Sequence, residues 1–176
     1  MREVAYAIVG LVALQRLAEV IYAERNTRAL FRRGAVEAGR SHYPLIVAVH
    51  IAWLAAIVAM LQDPVEIRWW LLAAFAVLQG LRLWVLASLG PYWTTRIVTL
   101  PGAPLVRSGP YRYMRHPNYA VVAGEIAILP LVFGEVWVAA LFTLLNAAVL
   151  RLRIREENTT LRERRAAGSG TKAAGT

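Results

Sequence analysis

The residues best equipped for chemistry in this chain stand in two unusual settings. The first is the interior of long apolar runs. Arg16 and Glu19 interrupt one run, His50 a second, Arg82 a third and Glu125 a fourth, and Gln15, Gln79 and Asn146 add neutral polar groups. Ionisable groups in such runs are costly to bury and are functional-site candidates by default. At the helical rise of about 1.5 Å per residue, Arg82 and Glu125 each lie roughly 10 Å from the same end of their helices, so they can pair. Arg16 and Glu19, three residues apart, share a helix face. Chemically, Arg82 or Arg153 could stabilise an oxyanion, and Glu125 or His50 could accept a proton. The plainer alternatives are a structural ion pair between helices and a hydrogen-bonded core histidine. His42 and His50 are too sparse to build a metal site, and none is expected.

The second setting is polar sequence beside the apolar runs. Residues 105–119, LVRSGPYRYMRHPNY, crowd Gly109, two prolines, three tyrosines, three arginines, His116 and Asn118 just ahead of an apolar segment. Gly109-Pro110 makes a rigid turn. Pro117 suits a first helical turn, whose free amides favour an anionic group such as a carboxylate. Tyrosines beside them could stack on an adenine or enclose a sulfonium through cation–π attraction. Further on, RLRIREENTTL places Glu156 and Glu157 beside Arg153 and Arg155. Two adjacent carboxylates there could bind an ammonium and ribose hydroxyls. The plainer alternative is an exposed basic helix with ordinary intrahelical pairs.

The elements that must position these groups follow from composition. The chain has 176 residues, 58% hydrophobic, with 20 Lys+Arg against 11 Asp+Glu and no cysteine. So apolar a chain cannot be disordered. Its basic residues flank the apolar runs, which points to membrane spans anchored on anionic lipid rather than to nucleic acid. Disulfides, thiolate metal sites and cysteine nucleophiles are excluded. Spans of about 20 residues are expected at Val4–Ala23, Tyr43–Leu61 and Trp69–Leu89, with two shorter runs, Tyr119–Phe133 and Val136–Leu150, forming a tight hairpin. Arg16 and Glu19 argue against a cleavable signal peptide. Pro130 should kink or end the fourth helix. The expectation is an all-α, five-span membrane domain over 1–165 with a disordered tail at 166–176.

Most of the basic residues fall in the loops 24–42 and 90–118 and beyond Arg151. Five spans alternating with that pattern place the N-terminus outside and the C-terminus in the cytoplasm, in a cell membrane. Every intramembrane polar group then reaches the cytoplasmic half, so a pocket open to the cytoplasm and inner leaflet is expected. A channel or transporter would need polar groups through the whole thickness. Trp69, Trp70, Tyr92 and Trp93 read as an interfacial aromatic belt. No Gly-x-Gly-x-x-Gly or P-loop motif supports a soluble nucleotide-binding architecture.

Taken together, GPYRYMRHPNY, a helical hairpin and RIREENTTL resemble the isoprenylcysteine carboxyl methyltransferase family. Its Arg-His-Pro-x-Tyr signature matches Arg115, His116, Pro117 and Tyr119, and its Arg-Ile-x-x-Glu-Glu signature matches Arg153, Ile154, Glu156 and Glu157. The resemblance covers Leu89 to Leu161. It implies an integral membrane enzyme using S-adenosylmethionine, with loop and tail closing over the cofactor and a lipophilic acceptor arriving from the membrane. It implies cofactor contacts at His116, Tyr119, Glu156 and Glu157, and also at Gly109, Pro117 and the backbone near Val106. One departure is Val121, where family members often carry Gly; here Gly124-Glu125 follow. HYPLIVAVH and SLGPYWTTRIVTLPG further resemble a bacterial branch associated with type III polyketide synthases. That branch implies O-methylation of an alkylpyrone or alkylresorcinol. The alternative acceptor is the carboxylate of an isoprenylcysteine, and a more distant alternative is a non-catalytic basic adaptor. Lipid and a small lipophilic substrate are the expected partners, with no nucleic acid and no obligate protein.

Overall fold

The computed structural model describes residues 1–38, 43–103 and 106–173, with side chains as far as Thr159. It is a mostly helical bundle. Helices α1 (Arg2–Arg32), α2 (Tyr43–Met60), α3 (Trp69–Leu89), α4 (Pro117–Val132) and α5 (Val136–Ala173) follow in order. Four of them are long and apolar enough to cross a membrane, and α4 is a shorter apolar helix. At 16 residues α4 rises about 24 Å, short of the roughly 30 Å hydrocarbon core. Side chains such as Leu11, Leu14, Leu144 and Trp137 lie exposed on the outside of the bundle. On helices of this length, such apolar faces belong against lipid.

Four helices form the packing centre: α4 lies against α3 and α5, and α5 against α2. Trp53, Ile57, Phe75, Ile126, Leu129 and Phe142 fill the space between them. Gly124 lets α4 approach α3 closely, since a Cβ there would sit 3.0 Å from Leu78 Cδ1. Pro130 is carried inside α4, and the helix ends at Val132, two residues later. Gly134, at φ +82°, then turns the chain into α5, a conformation glycine adopts without steric cost. The backbone amide of Arg68 donates to Val132 O at 2.9 Å, tying the start of α3 to this turn.

The structure departs from the expected elements at the basic end. Helix α1 does not stop near Ala23 but runs through Arg25, Arg28 and Arg32. Likewise, α5 continues without a break from its apolar part through Arg153 and Glu157 to Ala173. Backbone hydrogen bonding favours extending an existing helix over starting anew, and nothing in either segment stops it. Residues 166–173, read from sequence as the start of a tail, are thus helical in backbone, while 174–176 lie outside the described residues. A short antiparallel pair, unforeseen in the sequence, joins the two basic loops: β1 (Val36–Ala38) and β2 (Ile97–Thr99), with Glu37 opposite Val98. The β-branched run Ile97-Val98-Thr99 is the local signal for it.

Candidate functional site

Two polar assemblies stand one above the other. The inner one lies where α1, α3 and α4 meet. Arg82 grips Glu19 with Nε at 2.6 Å and with Nη2, and its Nη1 donates to Glu125 Oε2 at 3.1 Å. Arg16 donates to Glu19 at 3.1 Å and to Glu125 at 2.7 Å. Gln79 fills the last carboxylate oxygen, Glu125 Oε1, at 2.8 Å, and Gln15 donates both to Glu19 at 3.0 Å and to Gln79 at 2.8 Å. The expected pairs Arg82–Glu125 and Arg16–Glu19 are both present, fused into one layer. Two guanidiniums face two carboxylates, and every carboxylate oxygen accepts a bond. Such an arrangement offsets its own desolvation only through full pairing, and here pairing is nearly complete. His50 takes another course: its Nδ1 donates to Ile46 O at 2.9 Å within α2, and its ring meets Trp53 edge-on.

The outer assembly lines a cavity of about 660 Å³ at the basic end, bounded by β2, the loop before α4, the start of α4 and α5 beyond Arg153. Pro117 occupies the first turn of α4, as its fixed φ favours. That turn aims Tyr119 at α5. The Tyr119 hydroxyl donates to Glu157 Oε2 at 2.5 Å and accepts from Arg153 Nε at 2.8 Å, while Arg153 Nη2 is anchored on Thr95 O at 2.7 Å. The His116 ring stacks on Tyr119 with centroids 5.2 Å apart, and its Nδ1 lies 3.6 Å from the Glu157 carboxylate. Burial, reinforced by the Glu157 charge, pushes the Tyr111 phenol up.

Of the residues singled out from sequence, Val106, His116, Tyr119, Arg153 and Glu157 come together on this cavity. Gly109, Pro117 and Glu156 do not line it. Gly109, at φ +58°, instead seats the loop on α3: a Cβ there would fall 2.0 Å from Ser88 Oγ. Pro117 is buried as a helix start.

Sequence reasoning missed Trp93 and Asn118. Trp93 was expected in an interfacial belt, yet it is 3% exposed and forms part of the cavity wall. Its backbone is held by Asn26, whose Nδ2 donates to Trp93 O at 2.9 Å. The Arg82 guanidinium lies 6.0 Å from its ring centroid, so this indole borders both the ionic layer and the cavity. Trp93 Nε1 and Asn118 Oδ1 are buried with no hydrogen-bond partner. Buried polar atoms are nearly always satisfied, so this donor and acceptor are candidates for ligand contact; Arg16 Nε and Trp53 Nε1, also without a partner among the described residues, lie off the cavity. The only sequence signal for Asn118 was its place inside the His-Pro-x-Tyr segment.

A volume of this order suits a ligand of drug or cofactor size. A carboxylate, stacked aromatic rings, a free amide oxygen and a free indole N–H suit one that carries amine, hydroxyl and heterocycle together. That is the chemistry of a nucleoside-linked amino acid. Residues 70–163 match the isoprenylcysteine carboxyl methyltransferase (ICMT) family. The chain is 40% identical over 162 residues to the uncharacterized protein YpbQ of Bacillus subtilis, covering 90% of this chain and 96% of that one. It is 26% identical over 142 residues to an uncharacterized protein of Haemophilus influenzae, covering 78% and 83%. No solved structure matches. The chain belongs to the ICMT family, whose members are S-adenosylmethionine-dependent methyltransferases, and it is a multi-pass membrane protein.

Proposed function

We propose that this chain transfers a methyl group from S-adenosylmethionine to an oxygen atom of a lipophilic acceptor resident in the membrane. The favoured acceptor is the enol or phenol hydroxyl of an alkylpyrone or alkylresorcinol. The observation that carries this reading is the cavity at the basic end of a lipid-facing bundle, with Glu157, Tyr119, His116 and Asn118 on one wall. The bound cofactor supplies a methyl already activated by a sulfonium. The protein's task is therefore to position and to exclude water.

In this reading Glu157, held by the Tyr119 hydroxyl and beside His116, binds the polar groups of the cofactor. Asn118 Oδ1 accepts from one of its donors. Arg153, fixed between Tyr119 and Thr95 O, presents positive charge to the acceptor oxygen. Arg82 and Glu125 act as positioning residues: their bonds are spent within the ionic layer, and Arg82 lies over the cavity-lining Trp93. His50 belongs to the core of α2. The basic end faces the cytoplasm of a cell membrane, by the concentration of arginine there, so acceptors would enter from the inner leaflet.

The test is methyl transfer by the full chain in lipid, using methyl-labelled S-adenosylmethionine with an alkylpyrone and, separately, a farnesylated cysteine analogue. Base-stable, lipid-extractable label supports ether formation. Label released by base as methanol identifies a carboxyl ester and the prenylated acceptor instead. Absence of both cofactor binding and transfer sinks the enzyme reading and leaves a basic membrane adaptor.

A further inference from the structure

The cavity wall that carries Trp93 is held from outside the span shared with the family. That span is residues 70–163, and α1 precedes it. Beyond Ala23, α1 continues with Arg25, Arg28 and Arg32 exposed. Its other face, Ala23, Asn26, Thr27 and Leu30, follows the i, i+3, i+4, i+7 spacing of a single helical stripe. Ala23, Thr27 and Leu30 on that stripe are buried. Ala23 packs with Val85 and Trp93, and Leu30 lines the cavity. The extension of α1 is therefore no free basic arm; it backs the cavity wall.

Asn26 reaches from this stripe to the segment that follows α3. Its Nδ2 donates to Gly90 O at 3.2 Å and to Trp93 O at 2.9 Å. The Trp93 amide donates to the same Gly90 O at 3.0 Å. One side-chain amide thus bridges both ends of the short turn Gly90–Tyr92. Gly90, at φ +49°, breaks the chain out of α3, so the helix no longer aims residue 93. A carbonyl pinned at that residue limits the backbone rotation that would swing the indole. The indole carries a buried N–H with no partner among the described residues, and it lines the cavity. Two residues on, Thr95 O anchors Arg153 of the same cavity.

We infer that Asn26 is a positioning residue of the cofactor cavity: through the Trp93 carbonyl it holds the indole so that its N–H faces the bound cofactor. The inference rests on the methyltransferase reading and deepens it, by giving the cytoplasmic extension of α1 a part in ligand binding. A clamp that served the fold alone would be indifferent to what the neighbouring ring carries. A clamp that aims a donor matters only while the donor is there.

The experiment is a double-mutant cycle on the full chain in nanodiscs, read by S-adenosylhomocysteine affinity in titration calorimetry. Asn26→Ala should weaken binding by roughly five- to tenfold, the worth of one or two hydrogen bonds. In a Trp93→Phe background, where no N–H remains to be aimed, the same change should cost less than about twofold, as coupled sites do. Additive losses, or an Asn26→Ala chain that binds as the wild type does, overturn the inference. Asn26→Asp keeps the side chain's shape without its donor and repeats the test with no packing gap. Thr27→Val deletes the hydrogen bond from Thr27 Oγ1 to Ala23 O on the same stripe. It should lower the unfolding midpoint and leave affinity alone; an equal loss of affinity would reduce Asn26 to a support of the helix. A ligand-free readout runs alongside: the fluorescence of Trp93, taken as the difference between each chain and its Trp93→Phe counterpart. In Asn26→Ala that emission should shift to the red and become open to quencher. Failure of the wild-type chain to bind S-adenosylhomocysteine rejects the methyltransferase reading. An unmoved Trp93 emission rejects the hold of Asn26 on the indole, whatever the ligand.

Discussion

The two polar assemblies of this protein use the same side-chain chemistry to opposite ends. In the inner layer, Arg16 and Arg82 face Glu19 and Glu125 in equal number, with Gln15 and Gln79 adding bonds to the carboxylates and Arg16 Nε left without a partner among the described residues. In the outer cavity, arginines outnumber the single carboxylate Glu157, and an indole N–H and an amide oxygen go unpartnered. A buried charge layer that satisfies itself holds helices together. A cavity that leaves donors and acceptors free is built for something that arrives. Balance of charge, rather than depth or residue type, separates scaffold from site here.

The sharpest way to break this comparison is to unbalance the inner layer. Arg82→Met leaves Glu19 and Glu125 short of a partner and should destabilise the bundle by about 3–5 kcal/mol, the range for an orphaned buried charge. Adding Glu125→Gln restores the charge balance and should recover a substantial part, measured by denaturant titration in detergent. If Arg82→Met instead abolished transfer with stability intact, the layer would be part of the reaction.

Next in size is Glu157→Gln in the cavity. It should weaken S-adenosylhomocysteine binding by roughly 1.5–3 kcal/mol, the worth of hydrogen bonds to a charged group, while the unfolding midpoint stays put. Isothermal titration reads the first and thermal denaturation the second. A large stability loss would make the outer cluster a scaffold as well.

Tyr119→Phe removes the hydroxyl between Arg153 and Glu157 but keeps the ring stacked on His116. A loss of about 1 kcal/mol in ligand affinity is expected. Trp93→Phe removes the unpartnered N–H together with buried ring volume, so the ligand-free protein should lose stability, by roughly 1–2 kcal/mol for a truncated core side chain. The same variant should bind acceptor or cofactor more weakly, read by titration calorimetry. Unchanged binding would show that the indole N–H does not contact the ligand.

Much of the site was legible before any fold. Hydropathy placed the helix starts to within a few residues but not the ends of α1 and α5, which run on into polar sequence, and the depths of Arg82 and Glu125 anticipated their bond. The Arg-His-Pro-x-Tyr and Arg-Ile-x-x-Glu-Glu segments delivered His116, Tyr119, Arg153 and Glu157 to one cavity. Gly109 was legible as a special position but not for its reason. A glycine needed for a turn, a cofactor or a neighbouring helix reads identically until Ser88 is seen beneath it.

What the sequence by itself determined was local or one-dimensional: apolar length, helix starts at proline, charge bias, and which ionisable groups share a depth. Each follows from a chain meeting a bilayer, where length and polarity map directly onto position. Tertiary structure alone decided the rest. It joined β1 to β2 across a long sequence separation, fused two expected pairs into one layer, and put Glu157 rather than Glu156 on the cavity. It also turned Trp93 from the interface into the cavity wall. Those outcomes depend on the rotation of helices about their axes and on loops meeting in space, which side-chain packing settles only when all the elements are present together.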